Sequence, residues 1–515
     1  MNGARALLST LVDAGVDVCF SNPGTSEMHF VAALDDVPAM RGVLTLFEGV
    51  ATGAADGYAR MAERPACTLL HLGPGLGNGL ANLHNARRAR TPLVNIVGDH
   101  ATYHKRYDAP LESDIASIAS AVSGWYRVSA RADDVGADAA DAVAAAYGPP
   151  GCVATLVLPA DSSWSESASG PSAPRPRPRL GAVPGDLVDE IAKVLTSGEP
   201  VGLLLGGTAM RAGALVAASR VCTTSGAKLL GETFPARLER GAGIPAIERL
   251  MYFSEMAVAQ MDGLRHLVLV DVPSPVSFFA YPDKASDLVP PGCTVHTLVR
   301  PGQDATTALE ALAEALGAPA DSAELAPAQR PDRPSGPVNT ESLAAAIAAT
   351  LPEGCIVVDE GNTSGLFVSG ATAGCPKHDW LTLTGGAIGI GMPMATGAAV
   401  AAPDRPVLNL QADGSAMYTL QALWTQAREE LNVTTVVLVN RSYAILNIEL
   451  QRVGADAGGP LARRLLDLRQ PDLDYVSLAQ GMGVPARRVE EADDLAAALE
   501  VSYTEVGPSL LEVVL

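Results

Sequence analysis

The chain has few aromatic residues and an excess of acidic charge, and both features argue against a nucleic-acid-binding protein. Aromatic side chains make up 4% of the 515 residues, too few for a platform on which bases could stack. The formal net charge of -21 repels a phosphate backbone. The densest basic cluster is Arg87, Arg88 and Arg90, which is too small to offset that charge. We therefore expect no nucleic-acid partner.

The chain also lacks paired cysteines and long apolar runs. Its seven cysteines are scattered without a CxxC pair, which argues against a thiolate metal site or a disulfide framework. No run approaches 18 uninterrupted apolar residues, and the first segment already carries Asp13 and Asp17. The sequence therefore predicts neither a membrane span nor a signal peptide. We expect a cytoplasmic protein in a reducing compartment, with no membrane partner.

Two segments rich in Pro, Ala, Ser and Gly interrupt the apolar periodicity, at 167–184 and 317–337. Their composition predicts linkers. They divide the chain into three segments of ordinary domain size, residues 1–166, 185–316 and 338–515.

Apolar strands and amphipathic helices alternate in all three segments, which predicts parallel sheets covered by helices on both faces. The first and third segments open alike. In each, a helical pattern (4–12 and 343–351) precedes a short strand (16–20 and 356–358) and a polar glycine turn. We expect three doubly wound α/β domains, of which the first and third share an architecture.

A carboxylate and an amide follow two successive strands of the third segment. One strand leads into Asp413-Gly414-Ser415, and the next ends at Asn440, 27 residues after Asp413. That separation suits one helix plus a neighbouring parallel strand. Hard oxygen ligands beside a helix N-terminus suit a Mg²⁺ or Ca²⁺ ion that bridges protein to phosphate. The alternative is a helix cap at Asp413 and a turn residue at Asn440.

Glu48 lies between an apolar strand at 43–47 and a helix at 51–58. Partial desolvation there would raise the pKa of the carboxyl and equip it for proton transfer near neutral pH. The alternative is a glutamate that the helix dipole favours at a helix N-terminus.

His71 ends a strand at 68–72 and precedes the glycine-rich turn 73–79, where the backbone can approach a ligand closely. A lone histidine at a strand end is more often structural. A second glycine run, 385–391, lacks a convincing preceding strand and a following acidic residue, so it is a weak nicotinamide signal.

Taken together, these motifs resemble the thiamine diphosphate enzymes that include acetolactate synthase large subunits and benzoylformate decarboxylase. The resemblance covers nearly the whole chain and implies thiamine diphosphate and Mg²⁺ as cofactors. It places the metal on Asp413, Asn440 and the backbone carbonyl of Ser442. The family's motif has Gly and Asn where this chain has Ala412 and Val439, but the positions that bear the metal ligands are retained.

The same resemblance implies roles for further residues. Leu46-Phe47-Glu48 is similar to the segment with the family's activating glutamate, which hydrogen-bonds a ring nitrogen of the cofactor's aminopyrimidine. The other implied positions are Gly386 and Ile388 at the pyrimidine, Asn362 and Thr363 near the diphosphate alongside Gly414 and Ser415, and Thr25 and His71 in the substrate pocket.

Departures from the two named enzymes leave the reaction open. The second pocket histidine of benzoylformate decarboxylase falls at Ala280, and Pro110 and Leu111 replace an aromatic residue and a glutamine of acetolactate synthases. His100 and His104 lie in a nearby loop and could handle a carboxylate or a proton, although the loop could equally be only solvated. The chain looks short for a flavin-containing synthase, so FAD is not expected.

The resemblance implies a lyase or carboligase that acts on a small 2-oxo acid, nearest to an acetolactate synthase, with decarboxylation followed by carboligation. The alternatives are a simple decarboxylase, or a degenerate relative that binds cofactor without catalysis. In the family that the chain resembles, the two cofactor-binding domains of one site come from different subunits. We therefore expect a homodimer or a homotetramer.

Overall fold

The computed structural model describes residues 1–455 and 458–515 and contains three sheets flanked by helices. The strands that form the first sheet are β1 (Val18–Ser21), β2 (Arg41–Leu44), β3 (Ala66–Leu70), β4 (Leu93–Asp99), β5 (Trp125–Val128) and β6 (Val153–Pro159). The helices of this part are α1 (Gly3–Asp13), α2 (Met28–Ala33), α3 (Glu48–Ala62), α4 (Leu72–Ala89), α5 (Ile115–Ser120), α6 (Val135–Tyr147) and α7 (Ala160–Trp164).

The central part of the chain contributes six strands, which are β7 (Val201–Leu205), β8 (Lys228–Gly231), β9 (Leu238–Arg240), β10 (Glu248–Arg249), β11 (His266–Val270) and β12 (Thr294–Val299). Its helices are α8 (Gly185–Leu195), α9 (Ala212–Ser225), α10 (Ser254–Met261) and α11 (Ala305–Ala315). Five of the strands form a parallel sheet in the order β10-β8-β7-β11-β12. β9 leaves this sheet and joins the third one.

The last part contains β13 (Ile356–Glu360), β14 (His378–Thr382), β15 (Val407–Ala412), β16 (Val433–Val439), β17 (Ala486–Val489) and β18 (Ser509–Val514). Its helices are α12 (Thr340–Thr350), α13 (Val368–Ala371), α14 (Gly391–Ala401), α15 (Asp413–Ala416), α16 (Ala422–Arg428), α17 (Ala444–Arg452), α18 (Pro460–Arg464), α19 (Tyr475–Gly481) and α20 (Ala492–Thr504).

The first and third sheets have the same strand order, so the predicted shared architecture is confirmed. The first sheet runs β2-β1-β3-β4-β6-β5, and the third repeats that order as β14-β13-β15-β16-β18-β17. All neighbouring pairs in these twelve strands are parallel. Among the strands of the described residues, the third sheet has one antiparallel pair, β14 with β9, which adds a strand of the central part to its edge.

The first sheet is doubly wound because successive strand residues are buried on opposite faces. Leu69 packs into a core with α1 and α6, whereas Leu70 packs into a core with α3, α4 and α14. The second core therefore joins the first and third parts of the chain. It packs α3, which begins with the candidate residue Glu48, against α14, which follows the loop with the candidate residues Gly386 and Ile388.

Glycines allow α3 and α14 to cross with their backbones in contact. A Cβ at Gly57 would lie 2.1 Å from the carbonyl oxygen of Met394, and one at Gly397 would lie 1.8 Å from that of Ala54. Any larger residue at these points would force the helices apart.

Two local predictions are wrong. The glycine-rich segment 73–79 is not a turn but lies inside α4, where a Cβ at Gly73 would lie 1.8 Å from Ser113 Oγ. Its glycines therefore allow close helix packing. The run 385–391 does follow a strand, β14, which the sequence concealed because its first residues, His378 and Asp379, are polar. Asp379 is buried in ion pairs with Arg237 and Arg405 at 2.6 Å each.

Across residues 1–455 and 458–515, no helix combines the length and the apolar character that crossing a membrane requires.

Candidate active site

Glu48 is the first residue of α3, and its side chain is buried with only 6% of the residue exposed. The preceding strand ends earlier than predicted, at Leu44. Asn78 Nδ2 on α4 donates to Glu48 Oε2 at 3.0 Å, while no described residue donates a hydrogen bond to Oε1. A Cβ at Gly75 would lie 3.2 Å from Oε1. One carboxylate oxygen is thus fixed and the other is available to a ligand.

His71 is paired with Glu27, a residue that the sequence analysis did not select. Glu27 Oε2 lies 2.8 Å from His71 Nδ1 and accepts the backbone N–H of Gly24, also at 2.8 Å. Burial raises the pKa of Glu27, which is 1% exposed, while the neighbouring His71 acts in the opposite direction. Thr25 lies exposed in the same one-turn helix, Thr25–Glu27. The sequence contained one indication of Glu27, since this carboxylate lies two residues after Thr25, the predicted pocket threonine.

His100 and His104 follow β4, the neighbour of β3, so they leave the sheet at the same edge as His71. Their ring centroids are 5.3 Å apart. His100 Nε2 is buried and has no hydrogen-bond partner among the described residues. The loop is not simply solvated, because Lys105 forms ion pairs with Asp99 at 2.7 Å and Glu112 at 2.8 Å. A role for either histidine in catalysis stays a prediction.

The third sheet brings Asp413 and Asn440 together, as the strand order β15-β16 requires. Asp413 is 3% exposed, and burial raises the pKa of its carboxyl. The backbone N–H of Arg441 donates to Asp413 Oδ2 at 2.6 Å, and Asn440 Oδ1 accepts the N–H of Ser442 at 2.9 Å. The Asn440 side chain is oriented by Ser364, whose Oγ accepts from its Nδ2 at 3.0 Å.

The residues that follow Asp413 are tightly packed. A Cβ at Gly414 would lie 2.4 Å from the ring of Tyr443, so only glycine fits there. Ser415 Oγ accepts from Gln411 Nε2 at 2.6 Å, and the hydroxyl of Tyr475 donates to the carbonyl of Asp413 at 2.7 Å. This packing holds the turn rigidly.

The donor set at this turn fits a magnesium ion. In the described part of the chain, no three His, Cys, Asp or Glu side chains are grouped so that they could hold a metal. A cation would therefore need the amide oxygen of Asn440 and the carbonyl of Ser442 beside the Asp413 carboxylate. Mg²⁺ commonly takes one or two carboxylates and completes its shell with phosphate and water oxygens.

The glycine loop before α14 is held from two sides. Asn85 Nδ2 on α4 donates to the carbonyl of Ala387 at 2.8 Å. The buried Glu360 accepts the N–H groups of Gly389 at 2.6 Å and Gly391 at 2.7 Å. Gly386 itself has φ +76° and is exposed. Glu360, at the end of β13, was missed although it belongs to the polar turn after that strand.

Three more predicted cofactor residues lie around these elements. Ile388 is half-buried in the same loop as Gly386. Asn362 and Thr363 begin the one-turn helix Asn362–Gly365 after β13, and Asn362 has φ +47°. β13 lies beside β15 in the sheet, so these residues leave the same sheet edge as Asp413.

Comparisons with known proteins agree with this arrangement. Residues 1–119 match the family "Thiamine pyrophosphate enzyme, N-terminal TPP binding domain", and residues 366–513 match "Thiamine pyrophosphate enzyme, C-terminal TPP binding domain". A Mycobacterium tuberculosis protein named "Putative acetolactate synthase large subunit IlvX" is 62% identical over 515 residues, which cover 100% of this chain and 99% of the relative.

Two further relatives extend the comparison. Benzoylformate decarboxylase of Pseudomonas aeruginosa is 30% identical, with 97% of this chain and 96% of the relative covered. The solved structure of a thiamine diphosphate-dependent 4-hydroxybenzoylformate decarboxylase from Rhodococcus jostii superposes with a TM-score of 0.87. Its sequence identity is 23%, over 99% of this chain and 98% of that chain, so it shows the shared fold.

Proposed function

We propose, from the premise that the chain belongs to the thiamine pyrophosphate enzyme family, that it decarboxylates a small 2-oxo acid and joins the remaining acyl unit to an acceptor. The observation that carries this proposal is the buried Glu48 carboxylate, which has one oxygen fixed by Asn78 and the other without a protein donor. A helix-capping glutamate would not need to be buried against a second helix.

Thiamine diphosphate, when bound, supplies an electron sink for the pair released as CO₂ leaves. The residues of this chain bind and orient it. Glu48 would hold a proton at a ring nitrogen of the pyrimidine through its free oxygen, and Gly386 and Ile388 would hold the same ring. Asn362 and Thr363 lie near the diphosphate. Asp413, Asn440 and the carbonyl of Ser442 would hold a Mg²⁺ ion, which would supply positive charge against the diphosphate.

Simple decarboxylation is the second candidate, and the Glu27–His71 pair favours it. His71 Nδ1 is bound to Glu27, while Nε2 has no hydrogen-bond partner among the described residues. A histidine held in this way can deliver a proton to the carbon that lost CO₂, and release of a free aldehyde requires that step. The 30% identity to benzoylformate decarboxylase supports the same candidate.

We also propose that the smallest active unit is a homodimer, which could pair further into a homotetramer, and that it works in the cytoplasm. Large apolar side chains are exposed around the candidate site, and a second copy of the chain could cover them. They are Leu46, Leu366, Phe367, Met417 and Tyr418, each more than 40% exposed.

Product analysis separates the candidates. The protein, loaded with thiamine diphosphate and Mg²⁺, is incubated with a panel of 2-oxo acids, singly and in pairs, and CO₂ and products are followed by mass spectrometry. A joined hydroxyketone supports carboligation, and a free aldehyde alone supports the decarboxylase. Cofactor binding without CO₂ from any member of the panel would identify a relative without catalysis and reject both enzyme proposals.

A further inference from the structure

A segment of the central part of the chain reaches across to the glycine loop of the third part. Residues 272–293 follow β11 without forming a helix or a strand. Within this segment the ring of Phe278 lies directly on Gly386, where a Cβ would be 2.9 Å from the ring atom Cζ. The positive φ of Gly386 and this contact together exclude a side chain at that position. Phe278 thus contacts the loop to which we assign the pyrimidine ring.

The Phe278 ring is held in place by other aromatic rings of the central part. Its centroid lies 5.7 Å from that of Phe234 at an interplanar angle of 75°, and 5.3 Å from that of Tyr252. Phe279 is 5.4 Å away on the same segment. Edge-to-face arrangements at these distances are favourable and restrict the ring's position. We call Phe234, Tyr252 and Phe278 the aromatic wall.

Arg452 of α17, the helix that follows the proposed metal ligands, contacts two aromatic rings next to the aromatic wall. The guanidinium of Arg452, at the end of α17, lies 4.6 Å from the ring centroids of both Phe253 and Tyr281. Arg452 also forms an ion pair with Glu255 at 2.8 Å. Cation–π contacts on two sides resist movement of the segment. The wall is therefore tied both to the Gly386 loop and to the helix after Ser442.

Despite these contacts, Phe278 is 43% exposed, and its uncovered surface is apolar. Ala280, two residues after Phe278, adds no acid or base beside the ring. An apolar ring beside the cofactor loop favours an apolar group of similar size over a methyl group. It gives no advantage to a charged side chain, because burying an unpaired charge is costly.

From these observations we infer that Phe278 is a specificity-determining residue that selects 2-oxo acids with an aryl or bulky apolar side chain over pyruvate. The inference rests on the proposed function, since it assigns the substrate class of the same site. In the proposed homodimer the side chain of the substrate packs against the uncovered surface of Phe278, while the 2-oxo acid group lies toward Glu48 and His71 of the second copy.

The test compares Phe278→Ala and Phe278→Tyr with Val276→Ala, a matched control on the same segment that is 67% exposed. The measured quantity is the ratio of kcat/KM for benzoylformate to kcat/KM for pyruvate. We expect Phe278→Ala to lower this ratio about tenfold or more, the scale of apolar side-chain discrimination in pockets. Phe278→Tyr and Val276→Ala should stay within about threefold of the unchanged protein.

A second measurement does not depend on turnover. Calorimetry on the cofactor-loaded protein gives the apparent dissociation constants of two substrate analogues that cannot release CO₂, methyl benzoylphosphonate and methyl acetylphosphonate, and their ratio should shift in the same direction. A Phe278→Ala protein with an unchanged preference in both measurements would overturn the inference, whether or not its cofactor affinity falls. If the unchanged protein releases no CO₂ from any 2-oxo acid, the proposed function fails, and the analogue ratio still decides the role of Phe278.

Discussion

The buried Glu27 carboxylate is paired with the half-buried His71 imidazole, with Oε2 of the glutamate 2.8 Å from Nδ1 of the histidine. The space for Glu27 comes from Gly98 at the end of β4, where a Cβ would lie 1.7 Å from Glu27 Oε1. That oxygen is buried without a hydrogen-bond partner in the described structure. The hydrogen bond therefore fixes Nδ1 of His71. Its partner is a carboxyl group, that of Glu27, whose pKa is raised by burial.

Replacing Glu27 by glutamine should slow turnover about 100-fold, because the amide keeps the shape but cannot stabilise a protonated His71. The raised pKa of Glu27 has a second consequence. In the unchanged protein kcat/KM should fall as the pH drops through that pKa and the carboxylate is protonated. The glutamine variant should lack this acidic limb. The measurement is the pH profile of kcat/KM, with cofactor affinity measured alongside.

His71→Asn provides the partner variant for this test. If the two residues act as a unit, the double variant should be no slower than the slower single variant. Independent, multiplicative losses would show that Glu27 supports the fold and not the histidine.

Glu48→Gln should keep thiamine diphosphate affinity but lose about 100-fold or more in rate, since removal of a positioned acid or base has that effect. Calorimetry and steady-state kinetics separate the two quantities. Glu310→Gln, an exposed position on α11, is the matched control and should change neither. Full turnover by Glu48→Gln would leave Glu48 as a helix-end residue without a role in activation.

Asp413→Ala should abolish cofactor binding, because the remaining amide and carbonyl oxygens cannot hold a divalent cation against the diphosphate. The same loss is expected when the unchanged protein is titrated in excess chelator. Asp404→Ala, an exposed aspartate before β15, should bind normally. Equal affinity with and without Mg²⁺ would remove the metal bridge from this site.

Mixed dimers test the proposed assembly. If each site combines Glu48 of one chain with Asp413 of its partner, a hybrid of Glu48→Gln and Asp413→Ala chains has one site with both lesions and one with neither. Co-expression with two different tags and purification of the doubly tagged species should restore about half of the activity of the unchanged dimer per molecule. A correctly folded, cofactor-loaded hybrid without activity would show that each site is built within one chain.

Glu232 should make the stability of the central sheet depend on pH. Its Oε1 accepts the N–H of Gly207 at 2.7 Å, and burial raises its pKa from the ordinary value of 4.5 to about 7. A carboxyl whose pKa is raised by folding stabilises the protein at low pH, and this contribution is lost as the pH rises through the folded value.

At pH 8, Glu232→Gln should therefore have a free energy of unfolding about 1 kcal/mol higher than the unchanged protein and should unfold at a higher temperature. At pH 5 the two proteins should unfold at similar temperatures. Thermal unfolding at the two pH values measures the difference. The exposed Glu310→Gln variant should show none, and a Glu232→Gln variant with the unchanged pH dependence would contradict the assignment.

The sequence pattern of strands and helices was enough to predict which residues meet at the ends of neighbouring strands. Asp413 and Asn440 could be placed together because a short helix between two parallel strands brings their carboxyl ends to one edge of a sheet. Local pattern misled where packing overrode composition. The glycines of 73–79 lie within a helix packed against Ser113, and the polar β14 was hidden because its Asp379 is neutralised by arginines distant in sequence.

The sequence by itself determined the alternation of strands and helices, the matching of the first and third sheets, and the turn that carries Asp413, since each depends on periodicity over a few tens of residues. Only the tertiary structure decided that Glu27 lies behind His71 and that Phe278 covers Gly386, pairs separated by 44 and 108 positions. Such contacts depend on how whole elements cross. Side-chain periodicity specifies which face of an element is buried, but not which distant residue it meets.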